Sequence, residues 1–188
     1  MSAAVLVSIR PPFTQWIFCG NKSLEWRGTE MPAGRAYIYE TKNGGGCGKV
    51  IGEIVINEKR IYRRGETIRA DHIYRGMIST NELAEYCEGK SKLVAHMIES
   101  AELWAKPRDV TEFRRVCQND LYCESCAMFN ANKRHCGNAA LYLKRPPQSW
   151  CYVEDQISEL AKAMTRAVAI AGQIPPEMLW GKRTKNEE

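Results

Sequence analysis

GNKSLEWR, residues 20–27, begins with a turn glycine and continues with alternating polar and apolar side chains. Leucine and tryptophan alternate with Glu25 and Arg27, and a period of two is typical of a β-strand whose two faces differ. The stretch therefore predicts a short strand from about Ser23 to Arg27. On such a strand Glu25 and Arg27 project from the same face.

Three charged residues of this stretch, Lys22, Glu25 and Arg27, allow two interpretations. On an exposed face they form a surface ion pair, which contributes only about 0–1 kcal/mol. On a face that lines a cavity, Glu25 orients the guanidinium, and Lys22 supplies a hydrogen-bond donor or a nucleophile. The spacing alone favours the surface ion pair.

The segments around this stretch predict a small α+β protein. Ala3–Ile9 reads as a buried strand, and a short proline-led helix follows it and ends at Gly20. Gly34–Glu40 and Lys49–Ile56 flank a glycine-rich turn, which predicts a β-hairpin. Four strands with a short helix after the first are typical of a small mixed barrel.

The second half of the chain carries further signals. Ser79 and Glu82 form the capping box of a helix, and Lys92–Ile98 is the next predicted strand. A short helix over 109–116, a strand over 149–153, a C-terminal helix over 154–172 and a tail over 173–188 complete the prediction.

Composition indicates an ordinary globular protein. Hydrophobic residues make up 44% of the 188 residues, charged residues 26%, and the formal net charge is +5. The longest apolar runs fall short of a membrane span, and the N-terminus lacks the basic start of a signal peptide. We therefore expect a cytoplasmic protein that does not bind membranes.

Basic residues concentrate between Glu58 and Arg75, with tyrosines interleaved. A solvated loop and a surface that contacts nucleic-acid phosphates explain this pattern equally well. In the second interpretation Arg60, Arg63 and Arg64 contact the backbone.

Eight cysteines are present, and four of them fall within twenty residues with the spacing C-x5-C-x2-C-x9-C. In a cytoplasmic chain such clustering favours a metal over disulfides, and four thiolates form a closed tetrahedral zinc site. Free thiols or a transient disulfide are the alternative, and His135 is an alternative fourth ligand. The predicted ligands of a structural zinc ion are Cys117, Cys123, Cys126 and Cys136.

GNKSLEWR matches the G-x-K-x-x-E-x-R signature of the ASCH family, a branch of the PUA-like barrels. VLVSIRPPFTQWIFCG before it, RAYIYETK with CGKVIGEIVI after it, and the later KLVAHMIESAELWAKPRDVTEF and RPPQSWCYVE resemble further ASCH segments in the same order. Such proteins are common in bacteria and their phages. The resemblance covers roughly Val5 to Glu154. It implies a PUA-like mixed β-barrel over residues 3–153, interrupted by a cysteine-rich insertion over 116–145.

The resemblance also implies a function. PUA-like domains generally bind RNA or modified nucleobases, and the expected site is a pocket around the motif strand. An unpaired base would be recognised there by hydrogen bonds to its edge and by stacking. Phe13, Trp16 and Trp26 are interpreted as core. The residues expected to bind the base are Ser8, Arg10, Lys22, Glu25 and Arg27.

Two other functions stay open. One small ASCH branch consists of amidohydrolases that deacetylate N4-acetylcytidine with a lysine, a threonine three residues later and a distant glutamate. Lys22 matches that lysine, but Glu25 stands in the place of the threonine. In a hydrolase Lys22 and Glu25 would be the catalytic pair, with Glu25 as a base. The other alternative is a regulatory protein-interaction module of a phage or bacterium.

Overall fold

The computed structural model describes residues 3–117 and 138–156. The elements named below lie in the first of two compact units, Ala3–Glu154. The predicted C-terminal helix from residue 157 onward, the predicted tail, and three predicted zinc ligands lie outside the described residues. Those ligands are Cys123, Cys126 and Cys136.

Six strands and three α-helices make up the described part of this unit. Two short 3-10 turns, Val110–Glu112 and Ala139–Leu141, accompany them. The strands are β1 Ala3–Ile9, β2 Leu24–Arg27, β3 Gly34–Glu40, β4 Val50–Arg63, β5 Lys92–Arg108 and β6 Trp150–Glu154, and the helices are α1 Phe13–Phe18, α2 Ala70–Arg75 and α3 Thr80–Cys87.

The strands form one mixed sheet in the order β2-β5-β4-β3-β1-β6. Only β1 and β3 are parallel among these pairs, and β3 and β4 form the predicted antiparallel hairpin. The predicted α+β class and mixed sheet are confirmed, but within residues 3–117 and 138–156 the six strands do not close into the predicted mixed barrel. The end strands β2 and β6 are four and five residues long, and each pairs with one of the other five strands, while Val153 of β6 also forms an isolated bridge with Arg115.

The strands β4 and β5 are longer than their sequence pattern predicts. β4 continues through Arg63, so the first part of the basic stretch is strand rather than loop. β5 was predicted as Lys92–Ile98 but continues through Pro107 to Arg108. Over that part β5 pairs with β4 alone, and an edge strand tolerates a proline because the outer amide needs no partner. The predicted helix over 109–116 is reduced to the turn at Val110–Glu112.

Both faces of the sheet are covered by apolar side chains. Alternate residues of β1 divide between two core clusters, with Val5 and Val7 in one and Ala4 and Leu6 in the other. A third cluster lies where α3 packs on β2 and β5, and it contains Leu83. α3 begins with the predicted capping box, in which Ser79 and Glu82 satisfy each other's backbone amides. This packing holds α3 beside the motif strand.

The described residues just before 118 and just after 137, near the two ends of the predicted insertion, lie side by side. The amide of Arg115 donates to the carbonyl of Leu141, and the amide of Leu143 donates to the carbonyl of Phe113. Residues 113–115 and 141–143 are thus adjacent in the fold.

Candidate functional site

The motif strand β2 is buried on both faces. It pairs antiparallel with β5, with Glu25 opposite His96 and Arg27 opposite Val94. Leu24 and Trp26 enter the third core cluster, and Glu25 and Arg27 alternate with them. The polar face is not a surface, since only 3% of Lys22, 7% of Glu25 and 9% of Arg27 is exposed. The surface ion pair favoured by spacing alone is therefore wrong.

Glu25 lies between the two cations. One carboxylate oxygen is 3.3 Å from Nζ of Lys22, and the other is 3.0 Å from Nη2 of Arg27. Lys22 also donates to the carbonyl of Gly76 at 2.6 Å, and Arg27 to the carbonyl of Ser8 at 2.7 Å. Backbone from β1 and from the end of α2 thus fixes both cations, and a buried charge is stable only with such partners.

Burial changes the proton affinity of the groups around Glu25. Desolvation lowers the pKa of Lys22 below its ordinary value, and the adjacent Glu25 carboxylate offsets this only in part. On the neighbouring strand, burial lowers the pKa of His96 from 6.5 to about 4. Neutral His96 accepts a hydrogen bond from the Met31 amide at 2.9 Å, and its other ring nitrogen faces the carbonyl of Glu25 at 3.4 Å.

The Lys22–Glu25–Arg27 group forms part of the wall of a cavity of about 710 Å³, here called the β2 cavity. All five residues expected to bind a base line this cavity, including Ser8 and Arg10. Ser8 is buried, and its hydroxyl donates to the carbonyl of Pro147 at 2.6 Å. Arg10 is exposed and lies over the ring of Phe13. The structure therefore brings these residues together, while their contact with a base stays a prediction.

Several residues of the cavity wall were not anticipated. Phe13, interpreted as core, lines the cavity, and the ammonium of Lys22 lies 5.1 Å from its ring centre. Trp26 is buried as expected but also reaches the wall. One rim comes from α3, through Glu82, Glu85 and Tyr86. The spacing i, i+3, i+4 could have shown that these three share a helix face, but not which cavity they meet.

Two buried donors of the motif strand have no hydrogen-bond partner within residues 3–117 and 138–156. They are Nε of Arg27 and Nε1 of Trp26. Unpaired buried donors are uncommon in folded proteins and often mark a functional site or a place for a water molecule.

A second cavity of about 450 Å³ lies where β4 ends and β5 begins, on the other side of α3. Arg63 and Arg64 line this β4–β5 cavity together with Lys90 and Lys92. Arg60, which was predicted with them, does not line it. Its guanidinium instead binds the carboxylate of Glu66 at 2.6 Å and lies over the ring of Tyr62. The predicted phosphate contacts of all three arginines stay predictions.

The metal prediction rests on residues that are largely outside the description. Cys117 is half-buried and has no disulfide partner among the described residues. Within the described ranges, no three His, Cys, Asp or Glu side chains are grouped closely enough to hold a metal ion. The four-cysteine zinc site therefore stays a prediction.

Comparison with known proteins identifies the fold of the chain. No protein-family model matches the sequence, and no curated protein matches it either. The crystal structure of ASCH from Zymomonas mobilis matches with a TM-score of 0.53 at 20% identity, over 86% of this chain and 94% of that chain. Two structures of single-residue variants of that protein match at TM-scores of 0.49 and 0.48 and 19% and 20% identity, over 86% of this chain and 95% and 97% of theirs. The chain has the ASCH fold.

The helices of the described ranges are all too short or too polar to cross a bilayer.

Proposed function

We propose that the β2 cavity binds a nucleobase, either as an unpaired base of RNA or as a modified base or nucleoside. The observation that carries this proposal is the buried Lys22–Glu25–Arg27 group in the wall of a cavity of about 710 Å³. Ligand pockets are typically about 300–1,000 Å³ and combine apolar walls with a few fixed polar groups. The ASCH fold supports the same function, because the resemblance implies binding of RNA or nucleobases.

Each residue has a role in this proposal. Lys22 and Arg27 donate hydrogen bonds to ring carbonyls, and Glu25 holds both donors in place. Phe13 offers an aromatic face, on which a base can stack. Ser8 and Arg10 complete the wall at the end of β1. Because the polar groups are already fixed by their partners, a base that binds them loses little free energy to side-chain ordering.

Calorimetric titration with adenosine, guanosine, cytidine, uridine, N4-acetylcytidine and a short single-stranded RNA tests this proposal. Replacing both cations, Lys22→Ala with Arg27→Ala, is expected to weaken binding of the best ligand by at least about a hundredfold, as expected for two lost charged donors. The matched control is Arg63→Ala with Arg64→Ala, which removes the same charge from the β4–β5 cavity. Nucleoside binding should be unchanged in this control.

The first double variant leaves Glu25 buried without a counter-charge and risks unfolding. A triple variant, Lys22→Met, Glu25→Gln and Arg27→Met, removes the whole ionic group and avoids that penalty. If this variant folds and binds every ligand as the unmodified protein does, or if no ligand binds the unmodified protein, the proposal fails.

The RNA form of the proposal includes Arg60, Arg63 and Arg64 as contacts to the phosphate backbone. The slope of log affinity against log salt is negative, and each lost phosphate contact reduces its magnitude by about one. Arg63→Ala with Arg64→Ala should therefore reduce that magnitude by about two for RNA. Arg60→Ala should reduce it less, because Glu66 already binds that guanidinium. Equal slopes in all variants would show that these arginines do not contact the RNA backbone.

Hydrolysis of an acylated nucleobase is a second candidate function, and the state of Lys22 favours it. Burial lowers the pKa of this amine, and the Glu25 carboxylate lies 3.3 Å away, where it can accept a proton from water or from the lysine. Hydrolysis of N4-acetylcytidine adds one water to the amide and gives cytidine and acetate. Chromatography after incubation detects both products. Unchanged substrate, or equal turnover by Lys22→Met, would contradict this function.

We also propose that Cys117, Cys123, Cys126 and Cys136 hold a structural zinc ion. Elemental analysis should find about one zinc per chain, and Cys123→Ser with Cys126→Ser should abolish it. The matched control is Cys19→Ser with Cys47→Ser, because both of these thiols are exposed and lie outside the predicted set. Well under one zinc per chain in the unmodified protein would exclude the site.

A further inference from the structure

α3 gives the β2 cavity an acidic rim. Glu82 and Glu85 line the cavity and are both exposed. Hydrogen bonds from Ser79 lower the pKa of Glu82, so its carboxylate is charged at neutral pH. A ligand that enters beside α3 therefore meets two carboxylates near the mouth.

The cations of the wall do not outweigh these carboxylates. Among the described residues of the lining, the cations are Arg10, Lys22 and Arg27, and the carboxylates are Glu25, Glu82 and Glu85. Lys22 and Arg27 are buried and already bind Glu25, which leaves one exposed cation, Arg10, against two exposed carboxylates; the charge of Arg10 also helps to lower the pKa of Glu82. The lining is neutral in formal charge, whereas proteins that hold phosphates present a clear excess of arginine and lysine.

The basic residues at the ends of β4 and β5 lie on the other side of α3. Ala84 and Cys87 of this helix, together with Glu88 directly after it, line the β4–β5 cavity, in which Arg63 and Arg64 are found. Glu85 lines both cavities. A phosphate backbone that crossed α3 from a base in the β2 cavity to these arginines would pass Glu85.

We propose that Glu82 and Glu85 make the β2 cavity selective for an uncharged base or nucleoside over its phosphorylated form. This inference rests on the proposed function and narrows its ligand. The phosphate of a nucleotide carries one to two negative charges, and the rim repels it. The base edge still reaches Lys22 and Arg27, because both line the same cavity as the rim.

The test compares adenosine, guanosine, cytidine and uridine, each with its 5′-monophosphate, by calorimetry at low salt. In the unmodified protein the best nucleoside should bind at least about tenfold more tightly than its monophosphate. Glu82→Gln with Glu85→Gln should bring this ratio close to one. Glutamine preserves the capping box at the start of α3, so the helix should stay folded. Glu88→Gln is the matched control, since Glu88 faces the other cavity, and it should leave the ratio unchanged.

The outcomes separate this inference from the proposed function. If the monophosphates or a short RNA bind the unmodified protein as tightly as nucleosides do, the cavity binds nucleobases but the selectivity is absent. An unchanged ratio in Glu82→Gln with Glu85→Gln would also overturn the role of the rim. If neither nucleosides nor nucleotides bind, the proposed function fails and this inference fails with it.

Discussion

The two cavities beside α3 use their charges in opposite ways. In the β2 cavity Lys22, Glu25 and Arg27 are buried and bind each other and the backbone. In the β4–β5 cavity Arg63 and Arg64 are exposed at the end of a strand. Buried charged groups that are fixed by their partners keep one geometry and can discriminate between ligands. Exposed charged groups attract anions of many kinds, and salt screens them.

The largest expected difference between the cavities is in stability. Glu25→Gln leaves Lys22 and Arg27 buried without a counter-charge, and removing one partner of a buried ionic group costs about 3–5 kcal/mol. Urea denaturation should show this loss in the free energy of unfolding. The control is Glu66→Gln, which breaks the exposed pair with Arg60 and should cost about 0–1 kcal/mol. Losses of equal size in the two variants would contradict the difference between a buried and an exposed ionic group.

The next effect is a dependence of stability on pH. The folded pKa of His96 is about 4, below its ordinary value of 6.5, so the unfolded chain binds the extra proton first. The contribution of neutral His96 to the free energy of unfolding is therefore fully present above about pH 6.5. It is lost as the pH falls towards 4, and the loss is about 3 kcal/mol in all. His96→Gln should flatten this part of the stability curve.

The control for the pH dependence is His72, a second buried histidine, which lies beside the β4–β5 cavity. Burial also lowers the pKa of His72, whose ring is 2.8 Å from the hydroxyl of Tyr62 in the wall of the β4–β5 cavity. His72→Gln should remove a smaller share of the pH dependence than His96→Gln removes. Thermal denaturation at several pH values measures both, and a steeper slope in His96→Gln than in the unmodified protein would contradict the assignment.

The smallest effect concerns the exposed arginines. Arg63→Ala with Arg64→Ala should change the free energy of unfolding by less than about 1 kcal/mol, because neither guanidinium is buried. Urea denaturation measures the change. A loss comparable to that of Glu25→Gln would mean that the β4–β5 cavity also depends on fixed ionic contacts.

Local sequence patterns predicted the elements whose residues alternate clearly. The hairpin of β3 and β4 and the capping box of α3 are where the pattern placed them. The patterns underestimated β4 and β5, because the outer half of β5 is an exposed edge with little apolar alternation. The helix α2 was missed, since its six residues lie in a stretch dominated by charge and carry no strong apolar stripe.

In the candidate site, too, the sequence pattern predicts local features but not contacts between distant residues. The face shared by Glu25 and Arg27 follows from the strand period, but burial of that face does not. It depends on backbone carbonyls of Ser8 and Gly76, which are distant in sequence and come close only in the fold. The acidic rim on α3 was missed for the same reason, because a helix pattern does not reveal which cavity a helix meets.

Binding of a nucleoside in the β2 cavity can be observed directly through the tryptophan side chains. In a titration followed by NMR of the indole N–H groups, the signal of Trp26, which lines the β2 cavity, should shift as the nucleoside binds. The signal of Trp104, which packs in a different core cluster, should stay in place. A shift of Trp26 that saturates is the expected result. An unmoved Trp26 signal at saturating nucleoside would contradict the assignment of this cavity as the nucleobase site.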